Sequence, residues 1–194
     1  MDTARIPGKL PELISAATRL PLVAIPLFFA VGSVAGSSGL AWAGVCLVLT
    51  SGLSLAYLAY LNRSGKVRDP WRITRPERIK PLRVVAGLHV GAFLVATLLG
   101  APEPLRAVLL SYALATLLFA GLVPFVNLSL HTAGVTGAAV CLTYVFGPWA
   151  SLAFLSIPLV GWARATLGRH TSLELALGTL VGATGTWIAF QLIG

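Results

Sequence analysis

Apolar residues in this chain come in long unbroken runs, without the two-residue alternation of a half-exposed strand or the one-sided helical period of a soluble surface helix. The runs cover roughly 13–35, 39–61, 82–100, 105–127, 131–147, 149–166 and 171–193. Most are close to the ~20 residues with which a helix crosses a hydrocarbon core. Polar breaks separate them: GSSG at 36–39, a charged loop at 62–81, GAPEP at 100–104, NLSLH at 127–131, GP at 147–148 and LGRHT at 167–171. Pro21, Pro26, Pro124 and Pro158 fall inside runs, which lipid tolerates where neighbours satisfy the freed carbonyls. The pattern predicts an all-α fold, a polytopic transmembrane helical bundle of six to seven spans. It forms a single membrane-embedded domain over 1–194, with the fifth and sixth runs the shortest.

Composition strengthens that reading. The chain is 57% hydrophobic and 10% charged, against about 25% charged in a soluble domain. Its 20 glycines are dispersed through the apolar runs, as close helix packing in lipid requires. Alternating ten-residue strands are absent, which excludes a barrel. Asp2, Glu12 and several prolines precede the first run, so the opening does not read as a cleavable signal peptide. Cys46 and Cys141 lie in different apolar runs and read as packing residues, not as metal ligands. The triplets beginning at Asn62 and Asn127 match the glycosylation pattern, a short match of low specificity.

Charge then orients the bundle. Threading seven spans places the N-terminal segment and the loops at 62–81, 127–131 and 164–171 on one face. Arg5, Lys9, Arg19, Arg63, Lys66, Arg68, Arg72, Arg75, Arg78, Lys80, Arg83, Arg164 and Arg169 lie there, and Arg106 alone lies near the other. Short Lys/Arg-rich loops stay cytoplasmic. The expectation is an integral protein of a prokaryotic cell membrane whose polar face looks into the cytoplasm. The net charge of +8 suits anionic lipid head groups. Juxtamembrane cations with no soluble domain argue against nucleic acid as a partner, while a homo-oligomer stays open.

Candidate chemistry sits on that same face. The stretch VGWARATLGRHTSLELALGTLVG, 160–182, carries Arg164, Arg169, His170 and Glu174. KVRDPWRITRPERIKP, 66–81, is crowded with cations, and NLSLHTAG, 127–134, adds His131. Ionisable groups at membrane depth are costly and therefore mark sites. Arginines make bidentate, permanently charged contacts with phosphate oxygens. If a helix starts near His170, Glu174 stands at i+4 and can accept one ring N–H, leaving the other nitrogen free to attack. His131 can protonate a leaving alcohol and then activate water. Such a set needs no metal or other cofactor: it is a phosphatase with arginines stabilising the transferring group.

These residues resemble the motifs of the type 2 phosphatidic acid phosphatase superfamily, which shares its site with vanadium haloperoxidases. The family pattern runs K-x6-R-P, then P-S-G-H, then S-R-x5-H-x3-D. Here Arg68 precedes Arg75-Pro76 by the first spacing, LSLH at 128–131 keeps Ser129 and His131, and Arg164, His170 and Glu174 reproduce the third spacing. The resemblance covers about 66–182. It implies His170 as the nucleophile that becomes phosphohistidine, Glu174 as its orienting partner and His131 as the acid. It further implies Arg68, Arg75, Arg164 and Ser129 as phosphate ligands, with Arg78 resembling an R-x-x-R found in a bacterial subgroup. The implied substrate is a lipid phosphate or a prenyl diphosphate, isoprenoid or glycerolipid.

Departures from the pattern are specific. Leu130 replaces a glycine that lets backbone approach phosphate, Ala163 replaces a serine donor, and Glu174 lengthens the orienting arm. They keep a second reading alive, a catalytically silent lipid-phosphate binding or transport protein on the same scaffold. An intramembrane prenyltransferase would need Asp-rich magnesium motifs, and Asp2 and Asp69 are the only aspartates. A haloperoxidase is disfavoured by the spans. His89, early in the third run, reads as a packed residue and Arg169 as a solvated bystander. A reporter fused after Gly194 is expected outside the cytoplasm, and a cytoplasmic signal contradicts seven spans with the N-terminus inside.

Overall fold

The computed structural model describes residues 8–67 and 74–193, and every regular element among them is helical. Helices α1 (Lys9–Ala17) and α2 (Leu20–Ser33) are followed by α3 (Gly39–Leu47), a π-turn at Val48–Gly52 and α4 (Leu53–Arg63). Then come α5 (Arg75–Leu98), α6 (Glu103–Leu122) and α7 (Leu130–Phe146). A 3-10 segment at Pro148–Leu155 leads into α8 (Ser156–Thr166), and α9 (Ser172–Ile193) closes the chain.

Four stretches among the described residues are long and apolar enough to cross a membrane: Gly39–Arg63, Arg75–Leu98, Glu103–Leu122 and Ser172–Ile193. The α1–α2 pair, bent by 50°, makes a fifth if it is one span. The expected six to seven are not reached by this measure. Helix α7 has only 17 residues, and the sixth run starts as 3-10 turns behind Pro148. The first run also divides: Arg19 is extended (φ −61°, ψ 137°) and Pro21 stands in the first turn of α2, where a missing N–H costs nothing. Helix α6 stops at Leu122, five residues before the predicted end of its run, with Pro124 just beyond.

The charged loop is shorter than the sequence predicts. Glu77 Oε2 accepts the Thr74 N–H at 2.9 Å, one half of a capping box that satisfies donors at a helix start. Pro76 occupies the first turn, so TRPE at 74–77 is a helix N-terminus and Arg75 and Arg78 ride on α5, not on a loop.

Helix α9 lies against both α6 and α7, α5 packs on α6, and α2 packs on α3 and α7. Leu105, Val108 and Leu109 of α6 meet Phe28 and Val31 of α2 in the main core. Large apolar side chains such as Leu94, Leu117, Leu180 and Trp187 point outward. Lipid gives helices no hydrophobic reason to associate, so close backbone approach must do it. Gly178 and Gly182, four apart on α9, supply it. A Cβ on Gly178 would sit 2.5 Å from the Ser129 carbonyl oxygen, and one on Gly182 would collide with that of Ala133. Thr132 Oγ1 donates across the same seam to the Leu175 carbonyl at 3.2 Å.

Gly182→Ala is therefore expected to lower the melting temperature, because the obstructing atoms are backbone and overpacking costs roughly 1–3 kcal/mol. Gly91→Ala, with nothing within 4 Å of its new Cβ, is expected to melt at or above the wild-type temperature. Thermal unfolding of both variants in detergent checks this.

Candidate functional site

The starts of α5, α7 and α9 and the ends of α1 and α8 converge on one face. Between α8 and α9 the chain reverses at Gly168, whose φ of 62° is left-handed and suits glycine. Gly168 N–H donates to Ala165 O at 2.9 Å and Arg169 N–H to Arg164 O at 3.0 Å. This tight stop brings Arg164, on the last turn of α8, beside His170. Helix α9 then opens with TSLE at 171–174. Glu174 Oε2 accepts the Thr171 N–H at 3.0 Å, and Thr171 Oγ1 accepts the Glu174 N–H at 3.3 Å, a reciprocal capping box.

Glu174 has a second task. His170 Nδ1 lies 3.0 Å from the Asn127 carbonyl oxygen and 3.3 Å from Glu174 Oε2. Both are acceptors, so Nδ1 carries the proton and donates, and Nε2, which has no partner among the described residues, carries the lone pair. The same carboxylate oxygen caps the helix and sets the tautomer, and the longer glutamate arm reaches both partners.

Around this ring the cations gather. Arg164 is 9% exposed and His170 8%. Arg164 Nη1 donates to Ser15 Oγ at 2.8 Å, while its buried Nε has no partner among the described residues. Arg78 Nη1 donates to Asn127 Oδ1 at 3.2 Å, which turns the Asn127 amide nitrogen toward His170 Nδ1 at 3.5 Å. Since Nδ1 is itself protonated, that last approach is a contact. His131 Nε2–H donates to the Ser15 carbonyl at 3.1 Å.

Five of the residues selected from the sequence therefore come together: Arg78, His131, Arg164, His170 and Glu174. Arg75 lies to one side, donating from Nη1 to the Phe125 carbonyl at 3.1 Å and tying α5 to the α6–α7 connection. Ser129 is fully buried as the N-cap of α7, accepting the Thr132 N–H at 3.4 Å, and donates its own N–H to the Glu174 carbonyl at 3.3 Å. Arg68 lies outside the described residues. Two participants escape the sequence reading. Asn127 bridges Arg78 to His170, and its position inside the NLSLH break was the available signal. Ser15 has none, being 149 residues from Arg164 and on a helix outside the motif-bearing region.

Arg78, His131, Arg164 and His170 form the polar mouth of a cavity of about 310 Å³ running into the bundle. Among the described residues no three His, Cys, Asp or Glu side chains gather in a way that could hold a metal ion. No protein family, curated protein or solved structure matches the chain. The geometry is a histidine with its proton on Nδ1, lining a cavity beside two guanidiniums.

Burial pushes the His170 imidazole below its ordinary value, Arg164 and Arg78 push it further the same way, and Glu174 opposes them. The ring is thus neutral at pH 7. A process needing the neutral ring is lost as pH falls through this depressed value, below the ~6.5 of a free imidazole. NMR titration of His170 is expected to give a midpoint below that reference. In Glu174→Gln, which keeps an oxygen for the cap but removes the opposing charge, the midpoint is expected to fall further.

Proposed function

We propose that this chain is a membrane-embedded phosphatase that releases phosphate from a lipid phosphate or diphosphate through a phosphohistidine. One observation carries the reading. A histidine whose Nδ1–H is held by two acceptors lines a cavity where the buried Nε of Arg164 has no partner among the described residues. An unpaired guanidinium nitrogen in a buried site is expensive unless an anion takes it up. The resemblance of the three motifs to type 2 phosphatidic acid phosphatases supports the same reading.

The steps follow from the positions. Phosphate binding exchanges the Ser15 hydroxyl on Arg164 for a phosphate oxygen, and Arg78 neutralises a second oxygen. His170 Nε2 attacks phosphorus in line while the bond to the ester oxygen breaks. The bound phosphate dianion brings a second proton onto His131, and the resulting imidazolium passes its Nε2 proton, held by the Ser15 carbonyl at rest, to the departing oxygen, leaving a neutral ring and an alcohol, or a monophosphate where the substrate is a diphosphate. His131, now without that proton, takes one from water, whose oxygen attacks the phosphohistidine. Inorganic phosphate leaves and both imidazoles are restored. Phosphate monoester hydrolysis is among the slowest uncatalysed reactions, and the arginine clamp with in-line placement supplies the acceleration.

On this reading α7 and the 148–166 segment complete seven passages with the polar face toward the cytoplasm, because the cations favour that side. Purified chain is expected to release phosphate from short-chain lipid phosphates, with vanadate inhibiting and chelators leaving the rate unchanged. His170→Ala is expected to abolish release and the acid-labile phosphoprotein, and His131→Ala to slow turnover by about 10²–10⁴. Release undiminished in His170→Ala overturns the mechanism. Tight lipid-phosphate binding without any release favours the silent binding protein instead.

A further inference from the structure

The cavity does not end at the polar face. Behind Arg78, His131, Arg164 and His170 it continues between α2, α4, α5, α6, α7 and α9 as far as Ser54, His89, Ser111 and Thr186. From Arg78 to His89 α5 advances eleven residues, about 17 Å at ~1.5 Å per residue. The walls are mostly apolar, with Leu27, Leu55, Val85, Leu130 and Ala138 beside the aromatic Tyr57 and Phe119.

Its far end is a closed polar plate. Thr116 Oγ1 donates to the Tyr112 carbonyl at 2.7 Å and so accepts from His89 Nδ1–H at 3.3 Å. Ser54 Oγ then donates to His89 Nε2 at 3.2 Å, and Tyr112 packs edge-on against the imidazole at 5.5 Å between centroids. Every polar atom of His89 is thereby used, α4, α5 and α6 are tied together, and the buried Leu105, Val108 and Leu109 layer lies farther along α6. A bonded, ring-braced plate backed by close-packed core does not yield to an advancing chain end.

Size decides what fits. At about 310 Å³ the cavity is about twice the ~150 Å³ apolar void that holds one benzene ring, room for roughly a dozen carbons. We infer that the cavity binds the substrate's tail, and that this tail is one short apolar chain of roughly ten to fifteen carbons, prenyl or alkyl, and not the paired long acyl chains of a glycerolipid. The charges at the mouth place the phosphate at one end, and the His89 plate measures the length at the other. Access is sideways, since α4 and α5 touch only lightly beside the half-exposed Leu55. The inference rests on the phosphatase reading for its head group but not for its tail.

The test is a chain-length series of butyl, octyl, dodecyl and eicosyl monophosphates, with dipalmitoyl phosphatidic acid alongside, on the full chain in lipid nanodiscs. Two readouts are taken: equilibrium binding by calorimetry to His170→Ala, and phosphate release by wild type. Affinity is expected to rise about fourfold for each added methylene up to dodecyl, then to stop rising or fall at eicosyl, with phosphatidic acid weaker than dodecyl phosphate. In Val85→Phe the dodecyl-to-butyl ratio is expected to fall at least tenfold, and Ala138→Leu serves the same purpose should Val85→Phe fail to fold. A gain that continues through eicosyl, a preference for phosphatidic acid, or an unchanged ratio in a folded variant overturns the inference. Chain-length-dependent binding with no release from any substrate sinks the phosphatase reading and leaves the tail site standing. Release from every substrate without a dodecyl preference does the reverse.

Discussion

Where α7 crosses α9, the two backbones touch through Gly178 and Gly182, so closely that a methyl group at either position would collide with a carbonyl oxygen of α7. In water such a seam would be one contribution among many. In lipid, where helix surfaces and solvent are equally apolar, it is the kind of contact that holds helices at a set spacing. Its position also matters. It lies two turns into α9 from His170 and Glu174 and beside the first turn of α7, which carries His131. The Ser129 N–H to Glu174 carbonyl bond and the Thr132 hydroxyl to Leu175 carbonyl bond continue the same seam. Both histidines are thereby held at one spacing, and α8 follows because Gly168 lets it stop one turn short of His170.

On that frame the site concentrates positive charge that water would otherwise dilute. Arg164 is nearly buried and Arg78 half-buried, and both face a histidine that their charges help to keep neutral. Glu174 supplies the counterweight, yet its carboxylate already caps α9. One oxygen thus joins the stability of a helix start to the proton position on the ring. Burying a guanidinium is costly where one of its nitrogens is left without a partner, as Arg164 Nε is among the described residues. Ser15 meets part of the need through its hydroxyl on Arg164, and its carbonyl accepts from His131.

Much of this was legible along the chain. TSLE and TRPE mark helix starts through capping and proline placement, and the R-x5-H-x3-E spacing put Arg164, His170 and Glu174 together because a tight glycine turn and one helical turn leave them nowhere else to go. The count of spans was less legible. Hydropathy sees apolar runs but not where Arg19 and Pro21 bend a helix, or where Pro148 starts a 3-10 segment. The charged loop was read too long for a similar reason: cations mask a helix start that Glu77 creates. Ser129, expected as a phosphate ligand, stands as the buried N-cap of α7, a role its place just before Leu130 and His131 also permits.

By itself, then, the order of residues determined an all-helical apolar chain, its polar face and the histidine–glutamate pair, since these follow from local spacing and from the cost of charge in lipid. The tertiary structure decided what no spacing encodes. It brought Ser15 to Arg164 across 149 residues, and it turned Asn127 from a sequon match into the bridge between Arg78 and His170. It also left a void between six helices that ends on His89, a residue that alone reads as packing. The physical reason is the same in each case: local rules act over a helical turn, whereas a cavity and its floor exist only once close-packed helices have fixed the distance between distant parts of the chain.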